Sequence, residues 1–149
     1  MIKNIKISII FILSFLISGC FGTGINTNGY KIGKDYQLYR TSNHIVGIAP
    51  IGGWSSDEEI IPAKVVEIAW NDEYIIAKQY DLKDENDYNG YKIPDETKEN
   101  YWILNMEERK RIGPLSKEEF SDKLFELELS GLKLKDVEIY WEKDDALEN

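Results

Sequence analysis

Lys64-Val65-Val66-Glu67-Ile68-Ala69-Trp70, then Asn71-Asp72-Glu73, then Tyr74-Ile75-Ile76-Ala77-Lys78-Gln79-Tyr80 is the most informative stretch of the chain. Two runs rich in β-branched and aromatic residues flank a polar turn, which is the pattern of an antiparallel hairpin. Val66, Ile68 and Trp70 alternate onto one face, as strand geometry requires.

Upstream, Tyr36-Gln37-Leu38-Tyr39-Arg40, a turn at Thr41-Ser42-Asn43 and His44-Ile45-Val46-Gly47-Ile48-Ala49 read as another hairpin. Pro50 to Asp57 holds the pair Gly52-Gly53 and two serines, so it reads as a loop. Downstream, residues 81–100 are acid-rich and lack apolar periodicity, which predicts a long polar loop. Strand character returns at Tyr101-Trp102-Ile103-Leu104, and a charged turn from Glu107 to Arg111 leads to Ile112-Gly113-Pro114-Leu115.

A helix is expected next. Ser116 and Glu119 spell a capping box, Leu115 and Phe120 stand at staple positions, and Gly131 lies where a C-terminal cap belongs. Phe120, Leu124 and Leu127 share one helical stripe that should lie on a sheet. Val137-Glu138-Ile139-Tyr140-Trp141 alternates like a last strand, and a polar tail follows. The expected fold is α+β: one antiparallel sheet of five to seven strands with one amphipathic C-terminal helix packed on it. Trp70, Trp102 and Trp141 are expected in its core.

The beginning of the chain speaks to location. Lys3 and Lys6 precede an apolar run from Ile7 to Leu13, then Ser14 and Phe15-Leu16-Ile17, closing on Ser18-Gly19-Cys20. A basic start, a short apolar middle and small residues before a cut site make a secretory leader. The apolar part is shorter than the roughly 20 residues a membrane-spanning helix needs. Ile17-Ser18-Gly19-Cys20 resembles a bacterial lipobox, with Ile17 where leucine is commoner. The resemblance implies a diacylglycerol on the Cys20 sulfur and cleavage between Gly19 and Cys20. Residues 1–19 are then the leader, and Cys20 the anchor. Residues 20–29 form a glycine-containing tether, of which the nine after Cys20 reach about 15–18 Å. Residues 30–142 are one domain, and 143–149 the tail.

Removing the leader leaves 149 − 19 = 130 residues, enough for one domain with a real core. The formal charge is −9, or −9 − 2 = −11 without the two leader lysines. A chain this acidic lacks the basic face that nucleic acid requires. Cys20 is the only cysteine, so no disulfide framework exists within the chain.

The lipobox, the hairpin Val66–Trp70 to Tyr74–Gln79, Tyr101-Trp102-Ile103 and Gly113-Pro114-Leu115 before Phe120 together resemble an uncharacterised family of small lipoproteins from Gram-positive bacteria. The resemblance covers most of the chain after the leader. It implies a β-rich domain on the outer face of the cell membrane, held there by lipid, and implies no activity.

Candidate chemistry is sparse. Glu85, Asp87, Asn89, Gly90 and Glu96 stand at offsets 1, 3, 5, 6 and 12 of a calcium-binding loop. A glutamate at the first offset, Lys92 where an apolar residue belongs and the absence of an entering helix argue against it. His44 is the only histidine, and with Cys20 lipidated neither a nucleophilic triad nor a zinc site can be assembled. Asp57-Glu58-Glu59 and Asp144-Asp145 read as solvated acidic runs. Trp54, in the Gly-Gly-Trp-Ser-Ser loop, either anchors a partner or folds back over a sheet edge. The chain therefore reads as a non-catalytic binding or interaction module of the cell envelope, with an envelope protein as its partner. A weak calcium or small-ligand binder and an envelope hydrolase using carboxylates are the alternatives.

Overall fold

The computed structural model describes residues 29–85 and 90–145. The leader, Cys20, the tether before Gly29, Asp87, Asn89 and residues 146–149 lie outside them. Strands β1 (Tyr30–Ile32), β2 (Tyr36–Ser42) and β3 (Ile45–Pro50) form one antiparallel sheet in that order. The second sheet contains β4 (Val65–Trp70), β5 (Tyr74–Asp84), β6 (Lys92–Asn105), β7 (Lys110–Leu115) and β8 (Lys135–Asp136), in the order β7-β6-β5-β4-β8. Two helices, α1 (Lys117–Glu126) and α2 (Glu138–Asp145), and a 3-10 turn at Asp57–Glu59 complete the described elements.

Both expected hairpins form, β2 with β3 and β4 with β5. The sheet count differs from expectation: there are two sheets and eight described strands, not one sheet of five to seven. The reason lies in what each face of the larger sheet covers. Ile68, Ile75, Ala77, Trp102 and Leu104 pack against Ile32, Tyr36, Leu38, Val46 and Ile48 of the smaller sheet. Ala69, Ile76, Tyr101 and Ile103 pack on the opposite side against Phe120 and Leu129. A strand buried on both faces needs no polar alternation, which accounts for the unbroken runs Tyr74–Ala77 and Tyr101–Leu104. Reciprocal backbone bonds between Ile48 and Ile61, 2.9 and 3.0 Å, connect the smaller sheet to the segment entering β4.

Most of the polar stretch 81–100 is strand and not loop: residues 81–84 and 92–100 are the far end of the β5–β6 hairpin, with Asp81 opposite Asp95 and Asp84 opposite Lys92. Lys92 pairs with Asp84 at 2.7 Å and Lys83 with Asp95 at 3.5 Å, so cross-strand charges take the place of an apolar face. The register jumps from Tyr80↔Glu99 to Asp81↔Asp95, which leaves Glu96, Thr97 and Lys98 as a bulge. Asp95 shapes it by accepting from the Thr97 hydroxyl at 2.6 Å and the Thr97 amide at 3.3 Å.

Helix α1 begins as expected. Ser116 Oγ accepts from the Glu119 amide, and the Glu119 carboxylate accepts from the Ser116 amide at 2.8 Å. Its end is earlier than Gly131: Leu127 caps it, and Glu128 takes the left-handed conformation at φ 58°. The chain then folds back so that Leu127, Leu132 and Leu134 pack around the core formed by Phe120 and Leu129. Val137–Trp141 is a correction too. Asp136 Oδ1 accepts from the Glu138 amide at 2.8 Å and starts α2, which continues to Asp145 inside the stretch expected as a tail. Val137 and Tyr140 lie three residues apart, a helical spacing, and both enter the inter-sheet core. Of the three tryptophans expected in the core, Trp102 is buried, whereas Trp70 and Trp141 are half-buried at its margin.

Candidate functional site

On the α1 side of the larger sheet, the pattern along adjacent strands changes from apolar to charged. Glu67 of β4 lies opposite Lys78 of β5, and Lys78 lies opposite Tyr101 of β6. Helix α1 covers Ile76 and Ile103 but leaves this next row open. A cleft of about 390 Å³ results, lined by Glu67, Lys78 and Tyr101 from the sheet and Lys117, Phe120 and Leu124 from α1. Phe120 stacks on Tyr101 with ring centroids 4.9 Å apart, which fixes one wall.

The polar groups hold one another in place. Lys78 Nζ lies 2.7 Å from Glu99, 3.8 Å from Glu67 and 5.3 Å from the Tyr80 ring centroid. Tyr101 donates its hydroxyl to Glu99 at 3.1 Å. The Glu99 hydrogen bond pushes the Lys78 pKa above the usual lysine range, against the opposing pull of burial. The same bond, helped by the Tyr101 hydroxyl, holds Glu99 below the usual glutamate value. Burial, followed by the bond to Glu99, raises Tyr101. Both members of the ion pair are thus charged across the physiological range. A group that moves protons in catalysis needs a pKa near the working pH, and these shifts run the other way.

Another carboxylate, unlike Glu99, is buried, and it corrects the reading of residues 57–59 as a solvated run. Asp57 and Glu58 are exposed, but Glu59 is only 6% exposed. Its Oε1 accepts from the Ser55 hydroxyl at 2.7 Å and from the Ser55 and Ser56 amides, each at 3.1 Å. Its Oε2 accepts from Arg109 at 3.1 Å. Arg111 donates to the Ile60 carbonyl at 2.8 Å and lies over Trp102 at 4.7 Å, so the 3-10 turn is tied to β7. Ser55, chiefly, holds Glu59 below its ordinary value of 4.5. A depressed folded pKa contributes stability above the unfolded pKa, and that stability is lost as pH falls through the folded value. Glu59→Gln should therefore lower the melting temperature at pH 7. The gap between variant and wild type should narrow as pH falls below the ordinary glutamate value of 4.5 and close only once pH has fallen through the depressed folded value. Melting curves across pH 3–8 check this; a gap of constant size would contradict it.

Trp54 is 39% exposed, beside Ile51 at 46%, in a turn where Gly52 and Gly53 adopt φ 92° and 104°. More than a third of the Trp54 surface meets solvent. Trp54→Ala should change stability by less than about 1 kcal/mol, measured by urea unfolding. His44 is exposed at the β2–β3 turn, where its amide donates to Ser42 Oγ at 3.3 Å. Glu85 follows the last residue of β5, and Glu96 stands in the β6 bulge; both are exposed, and Asp87 and Asn89 lie outside the described residues. The strand pairing that separates Glu85 from Glu96 differs from the single loop those offsets assume. Among the described residues no three His, Cys, Asp or Glu side chains gather in a metal-holding group.

No curated protein and no solved structure matches the chain. A model of a family described as "Protein of unknown function (DUF3997)" matches residues 33–138, from the turn after β1 to the first residue of α2. With 138 − 33 + 1 = 106 of its 149 residues inside that match, the chain belongs to the DUF3997 family of proteins of unknown function.

Proposed function

We propose that this chain is a lipid-anchored, non-catalytic binding module on the outer face of a bacterial cell membrane, and that the cleft beside α1 is its ligand site. The observation that carries the reading is the fixed charge array at the cleft: Lys78, Glu67 and Glu99, with Lys117 and an aromatic wall beside them. An array of charged side chains next to apolar rings suits recognition of a ligand bearing its own charges and an apolar body. The basic leader and the Ser18-Gly19-Cys20 end of the apolar run support the location.

A photo-crosslinking residue at Ser121, on the cleft wall, tests the binding site in cells that carry the anchored protein. The expected result is one abundant adduct, lost in Lys78→Ala. An adduct pattern unchanged by Lys78→Ala, or identical to that from a probe at exposed Lys31, would overturn the assignment.

A further inference from the structure

The outer edge of β4 is only partly covered. Val137 donates its amide to the Val66 carbonyl at 3.0 Å, and β8 pairs Lys135 with Ile68 and Asp136 with Glu67. The same register would place Lys133 opposite Trp70, but β8 ends at Lys135, and Leu134 and Leu132 join the core around Phe120. On the other side, the Asn71 amide donates to the Tyr74 carbonyl at 3.0 Å, so those two residues form a hydrogen-bonded pair. Antiparallel strands alternate such pairs with non-bonded ones. Ala69 therefore faces β5 with its backbone groups, whereas those of Trp70 face the outer edge. Among the described residues no hydrogen bond reaches the Trp70 N–H or C=O there.

A groove of about 400 Å³ opens at this point, lined by Trp70, Tyr140, Gly131, Leu132, Lys133 and Lys135. Trp70 and Tyr140, their ring centroids 5.3 Å apart, supply its aromatic surface, and Tyr30 packs on Tyr140 at 4.9 Å. The groove holds two lysines and no acid in a chain whose net charge is −9. Neither lysine forms an ion pair among the described residues. An open strand edge, an aromatic surface and unpaired positive charge fit one chemistry. We propose that this groove binds an extended acidic peptide segment of a partner protein. The segment pairs its backbone with Trp70 and sets carboxylates against Lys133 and Lys135, a form of strand addition. Lysines also protect sheet edges from indiscriminate pairing, and that role alone predicts no peptide binding.

The groove shares no lining residue with the α1 cleft, and its test is independent of the cleft reading. A fluorescein-labelled Glu-Val-Glu-Val-Glu-Val peptide is titrated with the full chain and followed by anisotropy. Binding should saturate, weaken about tenfold or more in Lys133→Glu/Lys135→Glu, and persist in Lys78→Ala. Lys-Val-Lys-Val-Lys-Val should not bind, and N-methylation of the central residues of the acidic peptide should weaken it by a similar factor. Equal binding of the N-methylated peptide, or equal competition by dextran sulfate at matched charge, would reduce the groove to a polyanion patch and overturn strand addition. The absence of binding at millimolar peptide would leave edge protection as the role of the lysines and overturn the proposal as well.

Discussion

Gly113→Ala is expected to destabilise the domain by about 3–5 kcal/mol, read as a fall in the urea midpoint at unchanged slope. Gly113 adopts φ 141°, which side chains rarely tolerate, and a Cβ there would lie 2.5 Å from Trp102 Cε3 and 2.8 Å from the Tyr101 carbonyl. Overpacking costs about 1–3 kcal/mol and a strained backbone a comparable amount. Relief by moving the indole is blocked. Trp102 donates to Gln79 Oε1 at 3.2 Å and carries Arg111 over its ring. Gln79 in turn donates to the Ala63 and Tyr80 carbonyls, each at 2.8 Å, and accepts from Asn100 at 3.0 Å. Displacing the ring would break a buried network in which every lost partner leaves an unsatisfied group. Gly131→Ala is the control. Nothing lies within 4 Å of its added Cβ, and its change should stay within about 0.5 kcal/mol. Equal stability of the two variants would mean that the Trp102 environment is looser than this geometry.

That contrast also shows where sequence reasoning reaches and where it stops. Gly131 looked like a helix cap because glycine is the usual left-handed residue, yet Glu128 takes that conformation and Gly131 does not. The decision was made by tertiary packing: ending α1 early lets Leu129 and Leu132 turn onto the sheet. The capping box of α1 was legible because Ser116 and Glu119 stand before an apolar stripe. The same Ser-x-x-Glu spacing occurs at Ser56 and Glu59, where it also forms a reciprocal box. There the sequence reads as solvated acid, because an acidic run beside a loop is ordinarily solvated. The spacing alone could have flagged Glu59 as bonded, but its partner Arg109 is 50 positions away and leaves no local trace.

The β5–β6 extension is hidden in the sequence for a similar reason. Two paired strands with solvent around them gain nothing from apolar alternation, so cross-strand ion pairs hold them and the segment looks like a loop. Half of the α1 cleft was accessible in principle. Once the Asn71–Tyr74 turn is placed, counting outward sets Glu67 opposite Lys78. Glu99 was not accessible, because its place beside Lys78 depends on the bulge at Glu96–Lys98.

Cys20→Ala is expected to move the protein almost entirely from the membrane fraction to the soluble fraction, the largest effect any single substitution in this chain should have on location. Each buried methylene of an acyl chain contributes about 0.8 kcal/mol, so one chain holds a protein marginally and two hold it stably. A diacylglycerol on Cys20 supplies two. Nothing else in the chain is expected to compensate for their loss. Without the leader the net charge is −9 − 2 = −11, and anionic headgroups repel a domain of that sign. Among the described residues no helix is long and apolar enough to cross a membrane. Wild-type protein should resist extraction by high salt, dissolve in detergent and carry the added mass of the lipid on a mature chain starting at Cys20. The variant should lose that mass and wash free, while Lys133→Glu and Trp54→Ala remain bound. A Cys20→Ala protein that still sediments with washed membranes would show that residues 1–19 are retained as the anchor. The domain would then be held by its leader, whereas a wild-type chain that lacks the lipid mass, or whose mature form does not start at Cys20, would overturn the lipobox reading of Ile17-Ser18-Gly19-Cys20.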